Sequence, residues 1–271
     1  LTALPLFIWM GEILFRTRLS EDLFEGLTPW LSKFPGQLFH VNILSCGIFA
    51  AVSGSSAATA ATIGRMTLPE LKQRGYDTRM AIGTLAGSGT LGLLIPPSII
   101  LIVYGVAAEV SVARLFMAGA LPGLLLVVLF MGYTALWAKL SPKSVPQDTR
   151  HFTWADKFKA IRNLIPVLSL IVFVLGSIYT GLTTPSEAAA FGVAGALILS
   201  LISGTLSTKS FNESLMGAVK TSCMIALILA GAAFLTISMG FLGLPRMLAE
   251  MIATLQLSPY MLLVYLTFLF V

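Results

Sequence analysis

Two short stretches of small, hydroxylated and helix-breaking residues could bind an ion or a small anion. One is Ser53-Gly54-Ser55-Ser56; the other runs from Gly87 to Ser98 and contains Gly87-Ser88-Gly89-Thr90 and Pro96-Pro97. Glycine permits unusual dihedral angles and proline removes a backbone donor, so both stretches interrupt a helix. Freed carbonyl groups are good ligands for a hard cation, and the N–H groups that begin the next helix attract an anion.

The sequence around these stretches is that of a membrane protein. The chain has 271 residues, of which 56% are hydrophobic and 11% charged, whereas a soluble domain has roughly 25% charged residues. Three uncharged runs, Met80–Ala108, Leu115–Ala138 and Thr221–Pro245, can each cross about 30 Å of hydrocarbon. We therefore expect an all-α polytopic membrane protein with non-helical backbone only where protein or water surrounds it.

The remaining reactive residues argue against enzymatic or zinc chemistry. Cys46 and Cys223 both lie in apolar stretches, and His40 and His151 are far apart in sequence. No paired catalytic groups and no transition-metal ligand spacing are visible. The net charge of +5 is explained by membrane topology, so no nucleic-acid partner is expected.

The distribution of basic residues predicts a re-entrant hairpin at the first interruption. Suppose that His40–Gly64 enters and leaves on one side and every other apolar segment crosses. Then all of the 17 Lys and Arg residues except Arg114 and Arg246 lie on one side, which the positive-inside rule makes cytoplasmic. A full crossing would place the first basic group opposite the rest. The polar stretches 65–79, 139–163 and 205–213 are predicted to be loops.

Each feature also has a simpler explanation. Small residues in membrane helices often only allow close packing, but two interruptions within about 50 residues favour a secondary transporter's binding site. Glu187 follows Thr184-Pro185-Ser186 and fits a helix cap better than a functional carboxylate. Glu12 fits an ionic role between helices and interfacial exposure equally well.

Several motifs resemble the large membrane subunit of TRAP (tripartite ATP-independent periplasmic) transporters over essentially the whole chain. In order, they are Pro5-Leu6-Phe7 with Met10-Gly11-Glu12, Phe49 to Thr59 (FAAVSGSSAAT) with Ile63-Gly64, Arg74-Gly75-Tyr76-Asp77, Gly89 to Ser98 (GTLGLLIPPS), Ala120-Leu121-Pro122-Gly123, and Thr184 to Ala190 (TPSEAAA). The resemblance implies a permease subunit in the bacterial inner membrane. Its expected partners are a small membrane subunit and a periplasmic substrate-binding protein.

The resemblance also implies a mechanism and a site. Sodium ions would drive import of small carboxylates such as C4-dicarboxylates, 2-oxo acids or sialic acid, without other cofactors. The fold would be an elevator with inverted repeats, in which a transport domain moves against a scaffold. By motif, the residues expected to bind sodium are Ser53, Gly92, Leu94 and Pro97, and those expected to line the substrate are Ser55, Ser56, Thr59, Thr90 and Ser98.

The expected division of the chain follows from these segments. Residues 1–40 would form a scaffold helix end and an interfacial arm helix, and residues 41–138 the first transport-domain half. That half would contain the hairpin 41–64, the broken helix 80–108 and the helix 115–138. A cytoplasmic loop (139–163), scaffold helices of a second repeat (164–258) and the start of a truncated helix (259–271) would follow.

A weak internal repeat suggests that the chain is a fragment. Shifted by 229 residues, Pro5–Leu27 aligns on Phe234–Gln256 with six identities in 23 positions, against about two expected by chance. The same shift places Val271 opposite Asn42, just before a second hairpin would begin. Two alternatives stay open: a stand-alone sodium/anion symporter of the same elevator superfamily, and a membrane scaffold without transport activity.

Overall fold

The fold is helical throughout the part of the chain that the computed structural model describes, namely residues 2–142, 145–146, 152–254 and 258–270. A 3₁₀ turn, Thr90–Leu93, lies between the fifth and sixth α-helices. The α-helices are α1 (Ala3–Phe15), α2 (Leu19–Leu31), α3 (Leu38–Ser53), α4 (Ser56–Gln73), α5 (Thr78–Gly89), α6 (Ile99–Ala107), α7 (Val112–Leu140), α8 (Trp154–Tyr179), α9 (Pro185–Ile202), α10 (Thr208–Phe241), α11 (Leu244–Thr254) and α12 (Pro259–Phe270). The predicted all-α class is confirmed.

Four of these helices are long and apolar enough to cross a membrane. They are α7, α8, α9 and α10, with 29, 26, 18 and 34 residues. Helices α1 and α3 are apolar but shorter, with 13 and 16 residues. At 1.5 Å per residue, α3 is about 24 Å long, which falls short of the hydrocarbon thickness of about 30 Å.

Side-chain caps fix where two of the long helices begin. Thr153 and Asp156 form a capping box at the start of α8, and Thr184 and Glu187 form one at the start of α9. The Glu187 carboxylate accepts hydrogen bonds from the Thr184 N–H group at 2.7 Å and from its hydroxyl at 2.9 Å. These bonds satisfy donors that a helix N-terminus leaves free. The interpretation of Glu187 as a capping residue is confirmed.

Three stretches that we predicted as loops contain helix. Helix α4 continues to Gln73, α8 begins at Trp154 and α10 begins at Thr208. The prediction was wrong there because apolar content marks only the part of a helix inside hydrocarbon. Good helix formers such as Glu70 and Lys72 extend a helix into water, where it keeps its internal hydrogen bonds. Within 139–163, residues 143–144 and 147–151 lie outside the described residues.

The chain forms two compact units. The first, Leu1–Cys223, contains the interrupted segments, and the second, Met224–Val271, contains the remainder of α10 followed by α11 and α12. In the first unit, an aromatic cluster surrounds the beginning of α3, where the Phe39 ring packs edge-on against Tyr76 at 5.1 Å and Trp137 at 6.0 Å. In the second unit, α11 is amphipathic and has an ion pair between Arg246 and Glu250 at 3.0 Å.

Candidate functional site

Helices α3 and α4 are the two arms of an antiparallel helical hairpin. Gly54 ends α3 in the left-handed conformation (φ 58°), and Ser55 is extended and caps α4 by accepting the Ala58 N–H at 3.4 Å. Asn42 lies twelve residues before Gly54, and Thr67 lies twelve residues after Ser55. The Thr67 hydroxyl donates to the Asn42 side-chain oxygen at 3.0 Å. The second arm therefore returns to the level at which the first began, and the predicted hairpin is confirmed.

Helix α5 lies beside this hairpin and starts at its open end. The Tyr76 hydroxyl, just before α5, donates to the Gln37 side chain, just before α3, at 2.8 Å. Further along, the Asn42 amide donates to the Thr84 hydroxyl at 3.1 Å. Because α3 and α5 begin side by side, the chain enters and leaves the hairpin at the same end. The side of the membrane on which the basic residues lie stays a prediction.

The predicted broken helix is also confirmed, and its break lies at the hairpin tip. Helix α5 ends at Gly89, the 3₁₀ turn follows, and α6 begins at Ile99 after a cis Pro96–Pro97 bond. The Ile99 N–H donates to the carbonyl of Gly54 at 3.3 Å. The two interruptions therefore meet, and each satisfies part of the backbone that the other leaves exposed.

Glycine makes this close approach possible at two positions. A Cβ atom on Gly54 would lie 2.6 Å from the Pro97 carbonyl oxygen, and the positive φ angle already disfavours other residues. A Cβ atom on Gly92 would lie 2.9 Å from the backbone nitrogen of Ser56. The backbones of the tip and the break are thus in direct contact.

Three of the four residues expected to bind sodium are together at this contact. Ser53 ends the first arm, Gly92 packs against the tip, and the Pro97 carbonyl faces Gly54. Leu94 is placed differently, because its carbonyl oxygen lies against Gly119 of α7, 2.7 Å from where a Cβ atom would be. The structure therefore brings Ser53, Gly92 and Pro97 together and directs the Leu94 carbonyl toward α7.

The residues expected to line the substrate fall into two groups. Ser55 and Ser56 are half-buried at the tip and Thr90 is exposed, its hydroxyl bonded to the Gly87 carbonyl at 2.6 Å. Thr59 and Ser98 are fully buried. The Thr59 hydroxyl is 2.8 Å from both the Ser53 hydroxyl and the Ser55 carbonyl, and the Ser98 hydroxyl donates to Leu93 at 2.7 Å. These two hydroxyls stabilise the tip and the break from inside.

The N-termini of two helices, α4 and α6, lie together at the tip. Helix α4 begins at Ser56 and α6 at Ile99, and the Ile99 N–H donates to the carbonyl of Gly54, two residues before α4. Each helix N-terminus carries a partial positive charge and free N–H groups. Such an arrangement favours an anion without the help of a basic side chain.

Sequence reasoning left the role of Glu12 open, and in the structure Glu12 forms an i,i+4 ion pair whose arginine also approaches a second helix. Arg16, which directly follows α1, donates to the Glu12 carboxylate and approaches the Glu213 carboxylate of α10 at 3.8 Å. The Glu12 side chain lies against Gly217 of the same helix. Glu12 also lines a cavity beside the hairpin tip. No sequence signal pointed to Thr221, which lines that cavity too, because it sits in an uninterrupted apolar helix.

The chain belongs to the family of the DctM component of tripartite ATP-independent periplasmic transporters, whose profile it matches over residues 1–271. Members of this family are transporter permease subunits and not enzymes. Together with the apolar helices, membership identifies a multi-pass protein of the bacterial inner membrane.

Curated relatives agree with this family. The chain is 32% identical to the C4-dicarboxylate TRAP transporter large permease protein DctM of Rhodobacter capsulatus, covering 97% of this chain and 62% of the relative. It is 32% identical to the sialic acid TRAP transporter large permease protein SiaM of Vibrio cholerae (97% and 61%). It is 31% identical to the ectoine/5-hydroxyectoine TRAP transporter large permease protein UehC of Ruegeria pomeroyi (96% and 60%). The chain thus spans about three fifths of the length of these relatives.

Proposed function

We propose that this chain is part of the large permease subunit of a sodium-coupled transporter that imports small carboxylates with a periplasmic substrate-binding protein. A small membrane subunit would complete the complex. The observation that carries the proposal is the contact between the hairpin tip and the break after α5. In a chain of this family, such paired interruptions are where a secondary transporter binds its ion and substrate.

The tip has the chemistry that sodium requires. Hard cations bind oxygen ligands, and backbone carbonyls are common among them. The Gly54 and Pro97 carbonyls lie at the contact, and the Ser53 hydroxyl is adjacent. We therefore propose that Ser53, Gly92 and Pro97 contribute to one sodium site. Leu94 would contribute its carbonyl only if that group turned away from Gly119.

An anionic substrate would be bound by helix N-termini and hydroxyl groups. The half-buried Ser55 and Ser56 present hydroxyls at the start of α4, where the partial positive charge favours a carboxylate. Relatives are named for C4-dicarboxylate, sialic acid and ectoine. We infer a carboxylate here because the tip supplies N–H groups, hydroxyls and a bound cation, which together match an anionic oxygen.

We propose that the hairpin and the broken helix move as one body. The hydrogen bonds of Asn42 join α3 to both α4 and α5, and the Gly54–Ile99 bond joins the tip to α6. Residues 41–138 would form this moving half, and residues 1–40 and 164–258 would supply the scaffold. Sodium binding would complete the site before the body moves, as in an elevator.

The test is uptake of a labelled carboxylate by the full-length protein with its small subunit in proteoliposomes. An inward sodium gradient would be applied with and without the binding protein outside. We expect uptake only when both are present. Uptake with sodium alone would indicate a stand-alone symporter, and no uptake of any carboxylate tested in the presence of both would favour a scaffold without transport activity.

A further inference from the structure

A cavity of about 180 Å³ lies between α1, α10 and the hairpin tip. Its walls include oxygen-bearing side chains from three separate elements. Those side chains are Glu12 of α1, Ser53 and Ser55 of the tip, and Thr221 of α10. Of the four residues that the motifs assign to sodium, only Ser53 lines this cavity; the described lining lacks Gly92, Leu94 and Pro97.

Close backbone contact places α1 directly against the tip. A Cβ atom on Gly11 would lie 3.0 Å from the Cα of Ser53 and 3.1 Å from the Val52 carbonyl. The residue after Gly11 is Glu12, so its side chain begins one residue from this contact. On α10, a Cβ atom on Gly217 would lie 2.6 Å from the Glu12 carboxylate. Gly11 therefore lets α1 approach the tip, and Gly217 leaves the space that the carboxylate occupies.

The carboxylate in the cavity wall shares its arginine with a second carboxylate. Glu12 is the one charged residue among those described in its walls. Its partner Arg16 is shared with Glu213, so one guanidinium faces two carboxylates. Lys209 approaches Glu213 at 4.0 Å, and these side chains are 86% and 52% exposed, so water screens both charges. A cation in the cavity would add to the charge of Arg16 in stabilising the Glu12 carboxylate, whose side chain is only 27% exposed.

We propose that this cavity is a second cation site, which takes sodium and has Glu12 as its charged ligand. The Ser53 and Thr221 hydroxyls would supply neutral oxygen ligands, as a hard cation prefers. The cavity has room for the ion and several waters at about 30 Å³ each. Ser53 belongs to the half that is proposed to move, whereas Glu12 and Thr221 belong to the proposed scaffold. An ion here would therefore hold the tip against the scaffold in this conformation and would be released when the body moves. This inference rests on the sodium coupling proposed above.

The experiment compares Glu12→Gln with Glu70→Gln in the full-length protein with its small subunit. Glu70 is the matched control, since it forms an i,i+4 pair with Arg74 of similar exposure and does not line the cavity. Two quantities are measured: the sodium concentration for half-maximal uptake, and the unfolding temperature in sodium chloride relative to choline chloride. Glu12→Gln should raise the half-maximal concentration by roughly tenfold, because interactions with charged oxygens are the stronger ones, and should shrink the stabilisation by sodium.

The outcomes separate this site from the proposed function. If the unmodified protein shows no sodium dependence, the coupling itself is wrong, and this inference is lost with it. If the unmodified protein depends on sodium but Glu12→Gln behaves like Glu70→Gln in both measurements, the cavity is not a cation site and the coupling stands. Should Glu12→Gln fail to fold, Thr221→Val removes an oxygen with little change in shape. An unchanged sodium response in Thr221→Val would then overturn the proposal.

Discussion

Gly92 is the residue at which the interrupted helix comes closest to the hairpin tip. Its missing side chain allows the backbone of the break to touch the Ser55–Ser56 peptide. Gly83 lies earlier in the same broken helix, and a Cβ atom there would have no atom within 4 Å. Substituting each of the two glycines by alanine therefore separates two effects: the loss of close backbone contact, at Gly92, and the general effect of replacing a helical glycine, at Gly83.

We expect Gly92→Ala to raise the sodium concentration needed for half-maximal uptake and Gly83→Ala to leave it unchanged. The new methyl group at position 92 must displace the tip backbone, and overpacking of this kind costs about 1–3 kcal/mol. Replacing an exposed helical glycine by alanine carries no such penalty and favours the helix. Sodium-dependent uptake of both variants is the measurement, and an unchanged sodium requirement in Gly92→Ala would remove this residue from the site.

Asp22 on the arm helix α2 leads to a prediction of how the stability of the protein depends on pH. Burial raises the pKa of its carboxyl, and the nearby Glu25 and Glu21 raise it further, while Arg18 acts against them. The unfolded value is about 3.9. The folded protein therefore binds this proton more tightly, so the ionised form costs stability above the folded pKa.

It follows that acidification from neutral pH through the folded pKa of Asp22 should remove this penalty. Asp22→Asn should lack that part of the pH dependence and should be no less stable than the unmodified protein at pH 7. The unfolding temperature of both proteins would be followed from pH 7 to pH 4. A stability difference that does not change with pH would contradict the raised pKa.

At the scale of elements, the capping box of α9 separates a structural carboxylate from a functional one. Thr184 and Glu187 satisfy each other's backbone N–H groups at the helix start. Thr180, four residues earlier, bonds only to carbonyls of its own helix. Losing an N-cap hydroxyl costs about 1 kcal/mol.

Thr184→Ala should therefore lower the unfolding temperature, and Thr180→Ala should have a smaller effect. Glu187→Gln should keep sodium-dependent uptake, because glutamine also serves at this position of a capping box. Complete loss of uptake by folded Glu187→Gln would show that the carboxylate takes part in transport and that capping is not its only role.

The sequence predicted the kinds of element better than their ends. Apolar content located the membrane helices, and the glycines and prolines located both interruptions. The end of α4 at 65–73 was predicted as a loop because Glu70, Lys72 and Gln73 are polar, although these residue types favour helix. The direction of the Leu94 carbonyl, the burial of Thr59 and the cavity beside Glu12 depend on contacts between distant segments. Local patterns contain no information on such contacts.

At the scale of the whole molecule, the placement of loops relative to the membrane is open to a direct test. Gln73 and Val110 are exposed and lie at opposite ends of the segment that contains α5 and α6. In a full-length protein without other cysteines (Cys46→Ala and Cys223→Ala included), we expect a membrane-impermeant thiol reagent to label Val110→Cys from outside intact cells. Gln73→Cys should react only after the cells are opened. Labelling of Gln73→Cys from outside would reverse the assigned topology.

The internal repeat stays a prediction, although the order of the helices agrees with it. A shift of 229 residues carries the beginning of α1 into α10 and the beginning of α2 into α11. Both α2 and α11 are amphipathic and follow an apolar helix. A repeat requires the helices to follow one another in the same order in both copies. An inverted repeat also requires the two copies to have opposite orientations in the membrane.

The two-residue connection between α3 and α4 restricts how this protein can change length during evolution. A single residue inserted into one arm would turn everything beyond it by about 100° around the helix axis. Asn42 would then no longer face Thr67, although the tip itself would be unaltered. Insertions and deletions should therefore be excluded between residues 42 and 67, unless both arms gain or lose whole turns together.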